Sequence, residues 1–374
     1  MTTIHRTDTS LFGQWWWTVD RWTVFALATI IGVGAVMLLA ASPPVAERIG
    51  LEPLHFVKRQ MLLLPVAIGA IFFVSLQPPR IIRRLALAVF SVSVIMLALT
   101  FVMGAEIKGA RRWISLPGMS IQPSEFVKPT FAVLTAWLLA QGKASARFPG
   151  GLISVTLFAV IVAMLLKQPD LGMAVVVGAV WFVQVFLAGL PIILVAVLAG
   201  LGIAGLFGAY MLLPHVTSRI NRFLDPGAGD SYQIDRSIEA FANGGLFGRG
   251  PGEGTIKNWL PDAHADFVFA VAGEELGLIA CLAIVLLFAV VVVRSVLRVT
   301  SEQSLFVILA AAGLATQLGL QAVVNMASSL HLMPTKGMTL PFISYGGSSL
   351  LALAIGMGMA LALTRKRFGL EAMP

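Results

Sequence analysis

The sequence predicts an all-α polytopic membrane protein with about ten transmembrane helices, and three observations support this class. Hydrophobic residues make up 58% of the 374 residues and charged residues only 12%, whereas a soluble globular domain carries about 25% charged residues. Apolar runs of about 20 residues, the length that crosses a bilayer, recur along the chain. The polar residues are concentrated in a few segments between those runs.

The apolar runs give the expected order of the spans. We place them at residues 22–41, 60–76, 84–103, 124–141, 151–166, 171–189, 191–212, 267–293, 304–330 and 347–364. Because no internal repeat is visible, the chain is interpreted as one membrane domain over residues 1–374, with one long loop, 213–265, between the seventh and eighth spans. The three tryptophans before the first span, Trp15–Trp17, are typical of an interfacial aromatic belt.

The distribution of charge bears on orientation and on partners. An even number of spans puts both termini on one side, and the basic run Arg365-Lys366-Arg367 favours the cytoplasm. Lys and Arg are nearly evenly divided between the two sides, which fits either a weak topology signal or an outer surface that holds an anion. The net charge of +8 comes mostly from short loops that flank helices, so nucleic acid is not expected as a partner. The single cysteine, Cys281, excludes a disulfide framework within the chain.

The polar segment between the third and fourth spans carries two pairs of charges. Arg111 and Arg112 could hold a phosphate, for which guanidinium geometry is suited. Ser124 is placed to cap the fourth span. Glu125 and Lys128, three residues apart, share one face of that helix, and they form either a local ion pair that fixes the helix end or part of a polar cavity. The turn at 167–172, by contrast, has ordinary turn composition.

The long loop and the start of the eighth span combine cations and acids. A loop of this length without a domain of its own is usually functional or disordered. It ends at Asp262 and Asp266, and the eighth span then carries Glu274 and Glu275. Acids at or just inside the membrane surface are costly and are candidates for function, although a single aspartate could simply cap the helix.

The segment between the last two spans, residues 334–349, is irregular by composition. It contains two prolines and three glycines, and its Lys336 is the only charged residue between Glu302 and Arg365. Irregular backbone at membrane depth is tolerated only against protein or a water-filled cavity. The composition therefore predicts a re-entrant segment that lines a site, in preference to an ordinary surface loop.

Together these segments resemble the SEDS proteins (shape, elongation, division and sporulation), the membrane glycosyltransferases that polymerise peptidoglycan from lipid II. The resemblance covers about residues 20–365. It rests on the motifs GARRWI, IQPSEFVK, QPDLG, GGLFGRG, LPDAHADFVFAVAGEELG and PTKGMTLPFISYGGSS. The lysine of the last motif is similar to the division branch of the family and is not typical of the elongation branch. Asp262 and Ala265 stand where the family more usually has Glu and Thr.

The resemblance implies a substrate, a catalytic base and a set of binding residues. Lipid II is a disaccharide-peptide joined through pyrophosphate to a polyprenyl chain, and Asp266 matches the family's catalytic aspartate. The residues expected to bind the substrate are Lys336, Arg111, Arg112, Glu125, Lys128, Arg219, Gln233, Lys257, His264, Ser344 and Tyr345. No cofactor is certain, but a divalent cation, Mg²⁺ or Mn²⁺, shared by a carboxylate and the pyrophosphate is compatible with this chemistry.

The resemblance also implies partners and a location. We expect a class B penicillin-binding protein that supplies the transpeptidase, other membrane proteins of the divisome, and membrane lipids, in the bacterial cytoplasmic membrane at the division septum. Two other functions stay open: a flippase or transporter for the lipid-linked precursor, and an elongation-type polymerase. A transporter needs a polar path at the midplane or the inner side, and the few ionisable residues there favour the enzyme. A non-catalytic scaffold would leave the outer acids and cations without a role.

Overall fold

The computed structural model describes residues 10–107, 109–116, 119–225, 232–334 and 337–366. Ten long helices lie where the apolar runs predicted spans. In chain order the helices are α1 (Leu11–Thr18), α2 (Arg21–Arg48), α3 (His55–Ser75), α4 (Pro79–Met103), α5 (Pro123–Ala144), α6 (Gly150–Lys167), α7 (Leu171–Leu187), α8 (Ile192–Leu212), α9 (Pro214–Leu224), α10 (Tyr232–Gly244), α11 (Val268–Val299), α12 (Leu305–Ser329) and α13 (Gly347–Thr364).

The lengths and compositions of these helices confirm the polytopic all-α class. Among the described residues, eight helices are long and apolar enough to cross a membrane. The other two helices at predicted span positions are α7, which has 17 residues, and α5, whose first turns contain Glu125 and Lys128. The chain is therefore a multi-pass membrane protein.

Several helix ends differ from the prediction. The first span was expected to end before Pro43, but α2 continues through Pro43 and Pro44 to Arg48, where Arg48 Nη2 donates to the carbonyl oxygen of Asn258 at 3.0 Å and so holds the helix end. Ser124 does not cap α5. That helix begins at Pro123, a residue that suits the first helical position because its missing N–H needs no partner there.

The tryptophans expected to form an interfacial belt differ in their surroundings. They lie on the short helix α1, and Trp15 is buried against the bundle, where its Nε1 donates to Ser75 Oγ at 2.7 Å. Arg21 lies over the ring of Trp17, 4.2 Å from its centroid. Only part of the run therefore faces outward, and Trp15 contributes to packing.

A small antiparallel sheet was not predicted from the sequence. It consists of β1 (Ala105–Ile107), β2 (Ala110–Leu116) and β3 (Met119–Ile121), in the order β1-β2-β3. These strands connect α4 to α5 outside the bundle. They are too short to give a clear period-two pattern, which is why the segment was interpreted only by its charges.

The long loop is also more ordered than the sequence indicated. It contains α9 and α10, both amphipathic, and a 3-10 turn at Ile256–Asn258. Ser237 Oγ, on α10, donates to the carbonyl oxygen of Ser329 at 2.6 Å. The loop is thus a folded cover over the ends of α11 and α12, and α8, which has no buried residue, stands at the periphery.

The bundle has two chemically distinct ends. The end that carries the sheet, the long loop and the chain between α12 and α13 is called the site end below. At the opposite end, the Lys366 amide donates to the Thr18 carbonyl oxygen at 3.0 Å, so the described N- and C-terminal segments lie together. Asp20 at that end is buried and binds Arg294 and Arg298.

Candidate active site

Asp266 lies in the turn that leads into α11, and its backbone is fixed on both sides. Its N–H donates to the Asp262 carbonyl oxygen at 3.0 Å, and its own carbonyl oxygen accepts from Asn325 Nδ2 at 2.9 Å. The side chain is half-buried. The N-cap of α11 is Phe267 and not Asp266, so capping does not account for this aspartate.

The carboxylate of Asp266 faces an irregular stretch of backbone, Gly337–Gly346, here called the facing segment. Gly337 has φ +62, and a methyl group on it would lie 3.4 Å from Asp266 Oδ2. Ser344 Oγ donates to the carbonyl oxygen of Ala265. The Tyr345 N–H donates to the carbonyl oxygen of His264 at 2.9 Å. The facing segment and the Asp266 turn are therefore one hydrogen-bonded unit.

The facing segment reaches into the bundle, as its composition predicted. Gly34, near the middle of α2, packs so closely that a methyl group on it would lie 2.2 Å from the carbonyl oxygen of Phe342. Phe342 is 4% exposed and has φ +63, a left-handed conformation that is unfavourable for a bulky residue. Such strain persists only where the surroundings impose it, and it occurs preferentially at functional sites.

An aromatic cluster closes one side of the Asp266 turn. The His264 ring stacks on Phe56, with 4.4 Å between centroids, and lies 5.4 Å from the ring of Tyr345. Burial lowers the pKa of His264 to about 4, although Asp262 opposes this shift. At neutral pH His264 is therefore an uncharged packing residue.

One face of α12 carries polar residues that the sequence analysis missed. Gln317, Gln321 and Asn325 are four residues apart and buried, so they share a face of the helix. Asn325 Nδ2 donates both to the Asp266 carbonyl oxygen and, at 2.6 Å, to that of Met338 in the facing segment. The sequence signal for this face is the four-residue spacing of three uncharged polar residues within an apolar span.

Glu125 and Lys128 belong to the same network. Lys128 Nζ lies 2.9 Å from Glu125 Oε2, an ion pair without aligned hydrogen-bond geometry, and it donates to Gln321 Oε1 at 2.8 Å. The side chain of Lys128 is 1% exposed and that of Glu125 is 6% exposed. Gln321 Nε2 in turn lies 3.2 Å from the Thr339 carbonyl oxygen. The pair thus supports the facing segment from behind.

A second group of charges lies where Arg112 of β2, the turn before α7 and α9 come together. Arg112 Nε donates to the Gln168 carbonyl oxygen at 3.0 Å, and its Nη1 lies 3.5 Å from Asp170 Oδ2. Burial and the nearby Arg112 lower the pKa of Arg219, whereas Asp170 and Asp266 raise it. Arg219 is therefore close enough to Arg112, Asp170 and Asp266 to sense all three charges.

Two of the expected binding residues, Arg111 and Gln233, have no side-chain hydrogen bond or ion pair with this centre in the described part of the chain, and a third lies outside it. Arg111 is half exposed and pairs with Glu106 at 3.3 Å. Gln233 is half-buried on the first turn of α10. Lys336 lies outside the described residues.

Lys257 is placed in a buried ion pair with Glu275 and donates to the Gly252 carbonyl oxygen at 3.0 Å. The neighbouring Glu274 accepts backbone N–H groups from Thr255, at 2.8 Å, and from two adjacent residues. Both acids at the start of α11 are therefore occupied in holding the loop before the Asp266 turn. That arrangement gives Lys257 a structural task.

The glycine-rich motif 244–250 supplies hydrogen-bond acceptors at a break in α11. Gly277 has φ 80 and ψ 179 inside that helix. The N–H groups of Leu278 and Ile279 donate instead to the carbonyl oxygens of Gly245, at 2.9 Å, and Leu246, at 3.3 Å. A methyl group on Gly277 would lie 2.3 Å from the nitrogen of Gly248, so both segments require glycine here.

No group of three or more His, Cys, Asp or Glu side chains in the described ranges could hold a metal ion. A divalent cation at Asp266 would therefore need to share its ligands with the substrate, as expected for a metal held between a carboxylate and a pyrophosphate. Such a cation stays a prediction.

The fold and the site define a polytopic membrane protein in which a half-buried aspartate, Asp266, faces a re-entrant segment at one end of the bundle. Comparison with known proteins places it more narrowly. The family model FTSW_RODA_SPOVE, described as "Cell cycle protein", matches residues 21–368. The chain belongs to this family, and the resemblance found in its motifs is confirmed.

Relatives and solved structures agree with this membership. "Probable peptidoglycan glycosyltransferase FtsW" of Caulobacter vibrioides is 44% identical over 97% of this chain and 94% of its own length. The protein of the same name from Coxiella burnetii is 35% identical over 93% of this chain and 96% of its own length.

Two solved structures share the fold. A chain of a peptidoglycan synthase complex that coordinates polymerization and crosslinking superposes with a TM-score of 0.77 at 31% identity, covering 92% of this chain and 97% of that one. RodA of Thermus thermophilus has a TM-score of 0.69 at 31% identity, covering 92% of this chain and 96% of its own.

Proposed function

We propose that this protein is a peptidoglycan glycosyltransferase that polymerises lipid II into glycan strands and releases polyprenyl pyrophosphate. The observation that carries the proposal is the half-buried Asp266, held by Asn325 and directed at the facing segment. A carboxylate so placed can act as a general base. The FtsW relatives, which carry the name of this activity, match over nearly the whole chain.

In the proposed reaction, the 4-hydroxyl of an acceptor sugar attacks the anomeric carbon of a donor sugar. The new C–O bond forms as the bond from that carbon to the pyrophosphate oxygen breaks, and Asp266 takes the hydroxyl proton. The electron pair leaves with the pyrophosphate. Fixed cations that face the departing charge lower the barrier, and Arg219, whose pKa responds to the charge of Asp266, is the described candidate. Lys336, next to Gly337 in the chain, is a second.

The substrate dictates the orientation that we propose. The sugars and pyrophosphate lie at the site end while the polyprenyl chain stays in the bilayer, so the site end faces outward and both termini face the cytoplasm. The FtsW relatives favour the division branch, hence a septal location and a class B penicillin-binding protein as partner. Other divisome proteins are proposed on the same ground. An elongation-type polymerase, supported by the likeness to RodA, is the alternative within this chemistry.

A transporter fits the polar residues less well. At the end opposite the site, Asp20 is neutralised by two arginines. Within the bundle, Gln184 uses its amide on Thr135 and on the carbonyl oxygens of Ala132 and Leu309. These groups satisfy one another, whereas a transport path needs polar groups that can exchange partners with a substrate.

The test is polymerisation of purified lipid II by the purified protein, with and without a cognate transpeptidase. Asp266→Asn removes the base and keeps the size of the side chain, so we expect a loss of at least about 100-fold in rate. Asp262→Asn is the matched control, because its backbone has φ 52, which Asn tolerates. Normal glycan chains from Asp266→Asn would contradict the assignment.

A further inference from the structure

A concave surface whose lining residues do not include Asp266 also lies at the site end. It is a cleft of about 710 Å³ between the last turns of α2 and the chain before the Asp266 turn. Cavities of about 300–1,000 Å³ are typical of small-molecule sites. Its lining includes Pro43, Glu47, Arg48, Tyr232, Asn258 and Trp259.

The walls of this α2 cleft are fixed to each other. Arg48 Nη2 donates to the carbonyl oxygens of Asn258, at 3.0 Å, and Leu260, at 3.4 Å. Two prolines in the last turns of α2 stiffen that wall further. A cleft whose walls are already ordered loses little conformational entropy when a ligand binds.

The chemistry of the lining suits a saccharide. Trp259 and Tyr232 are 64% and 39% exposed. Trp259 presents a flat apolar face with a polar edge, whereas Arg236 lies over the ring of Tyr232, 5.3 Å from its centroid, and leaves the edge of that ring for the cleft. In the part of the chain that the structure describes, no hydrogen bond or ion pair engages the side chains of Glu47 and Asn258. A sugar offers an apolar C–H face for the Trp259 ring and hydroxyls for the carboxylate and amide.

Other occupants match this lining less well. A lipid tail would bury the Glu47 carboxylate against hydrocarbon without a partner. A phosphate would meet the carboxylate of Glu47, while the Arg48 guanidinium is already engaged by two carbonyl oxygens. An exposed tryptophan at a membrane surface can also be a plain interfacial anchor, and the experiment must separate that case.

The cleft is continuous with the turn that carries the catalytic carboxylate. Pro261 lines it and precedes Asp262, whose carbonyl oxygen accepts the hydrogen bond from the Asp266 N–H at 3.0 Å. A polymer with one unit at Asp266 could therefore extend along the wall formed by Trp259 and Pro261.

We propose that the α2 cleft binds sugar units of the growing glycan strand, beyond the unit that reacts at Asp266. This inference rests on the proposed polymerase function. By holding the strand between additions, the cleft makes successive additions more frequent than release, so it controls the length of the product more than the rate of one transfer.

The first experiment compares product length with rate. In lipid II polymerisation, Trp259→Ala should shorten the mean glycan chain at least threefold and keep the initial rate of lipid II consumption within about twofold of wild type. Trp259→Phe keeps an aromatic face and should restore most of the length. The control is Trp22→Ala, because Trp22 is 66% exposed on the same helix α2 but at its opposite end.

The second experiment measures binding without turnover. A lipid-free peptidoglycan tetrasaccharide without peptides is titrated by calorimetry into Asp266→Asn and into Asp266→Asn/Trp259→Ala. We expect binding to the first and about tenfold weaker binding to the second. If wild type makes no polymer but this difference is found, the polymerase proposal fails and the saccharide site stands.

Four outcomes overturn the inference. Equal chain lengths from wild type and Trp259→Ala, or equal tetrasaccharide affinity of the two Asp266→Asn proteins, shows that Trp259 does not bind the strand. A lower melting temperature for Trp259→Ala with unchanged affinity assigns it to anchoring in the interface. Rate and length that fall in the same proportion assign it to the catalytic turn.

Discussion

Asn325 on α12 donates its side-chain amide to the carbonyl oxygen of Asp266 at 2.9 Å. The same nitrogen lies 2.6 Å from the carbonyl oxygen of Met338. One buried side chain therefore sets the distance between the Asp266 turn and the facing segment through two backbone carbonyl oxygens.

Removing this bridge should impair catalysis more than binding. Asn325→Leu leaves both carbonyl oxygens without their donor, and displacement of a catalytic group by about 1 Å can cost about 100-fold in rate. We expect kcat for lipid II polymerisation to fall about 10- to 100-fold with KM little changed. Gln317→Leu, two turns away on the same face of α12, is the control. Equal kinetics for wild type and Asn325→Leu would contradict a positioning role.

The Glu125–Lys128 pair gives a test in which stability and activity separate. Lys128→Met leaves the Glu125 carboxylate buried without its cation, which costs about 3–5 kcal/mol in comparable pairs. We expect a large drop in melting temperature in detergent. Glu125→Gln/Lys128→Met should recover much of that stability, because no unpaired charge remains.

The double variant should polymerise lipid II more slowly than wild type. Gln321 has lost the hydrogen bond from Lys128 that orients its side chain towards the Thr339 carbonyl oxygen. Full activity of the double variant would show that the pair acts only as a local ion pair.

The buried His264 should make stability depend on pH. The pKa of His264 is lowered to about 4, from about 6.5 in an unfolded chain. Between these values the unfolded state binds a proton that the folded state does not, so stability falls as the pH drops from 6.5 towards 4. We expect His264→Phe, which keeps a ring beside Phe56, to show a smaller loss of melting temperature between pH 6.5 and 5. Above pH 7 the melting temperatures of wild type and His264→Phe should change with pH to the same extent, which serves as the internal control.

At the opposite end of the bundle, Asp20 should stabilise the fold without affecting the chemistry. Burial would raise its pKa, but hydrogen bonds from Arg294, Arg298 and Thr23 lower it to about 2. This contribution is complete above the unfolded pKa of about 3.9 and is lost only as the pH falls towards 2. Asp20→Asn should therefore cost about 1–3 kcal/mol at pH 7.

The melting temperature of Asp20→Asn is measured at pH 7. The rate of lipid II polymerisation per folded molecule should equal that of wild type. Glu52→Gln is the control, since Glu52 pairs with Lys58 on the exposed surface, where ion pairs contribute about 0–1 kcal/mol. Equal losses in the two variants would contradict the special role of Asp20.

The sequence was sufficient for the parts of the structure that the bilayer dictates. A helix lies at each of the ten predicted positions, and eight of these helices are long and apolar enough to cross a membrane. The irregular backbone of Gly337–Gly346 agrees with the glycines and prolines of residues 334–349. The end of α2 was missed because a tertiary contact from Arg48 holds a turn that contains prolines. The helices α9 and α10 were missed because amphipathic helices beside a membrane lack the long apolar run.

The same limit applied to the site. The sequence predicted charged residues for the site, yet Lys257 forms a buried ion pair with Glu275. The uncharged Asn325 joins the two halves of the site. Whether a charged side chain stabilises the fold or binds a ligand depends on its neighbours in the tertiary structure. A single sequence does not show which residues those neighbours are.

The break at Gly277 has a consequence for biogenesis. The N–H groups of Leu278 and Ile279 are satisfied by Gly245 and Leu246, residues that a ribosome synthesises before α11. In a hydrocarbon environment an unpaired backbone N–H is costly, so α11 cannot settle as an independent hairpin arm during insertion. It must assemble against the loop that contains Gly245 and Leu246. Folding of the loop at the site end is thereby a precondition for completing the second half of the protein.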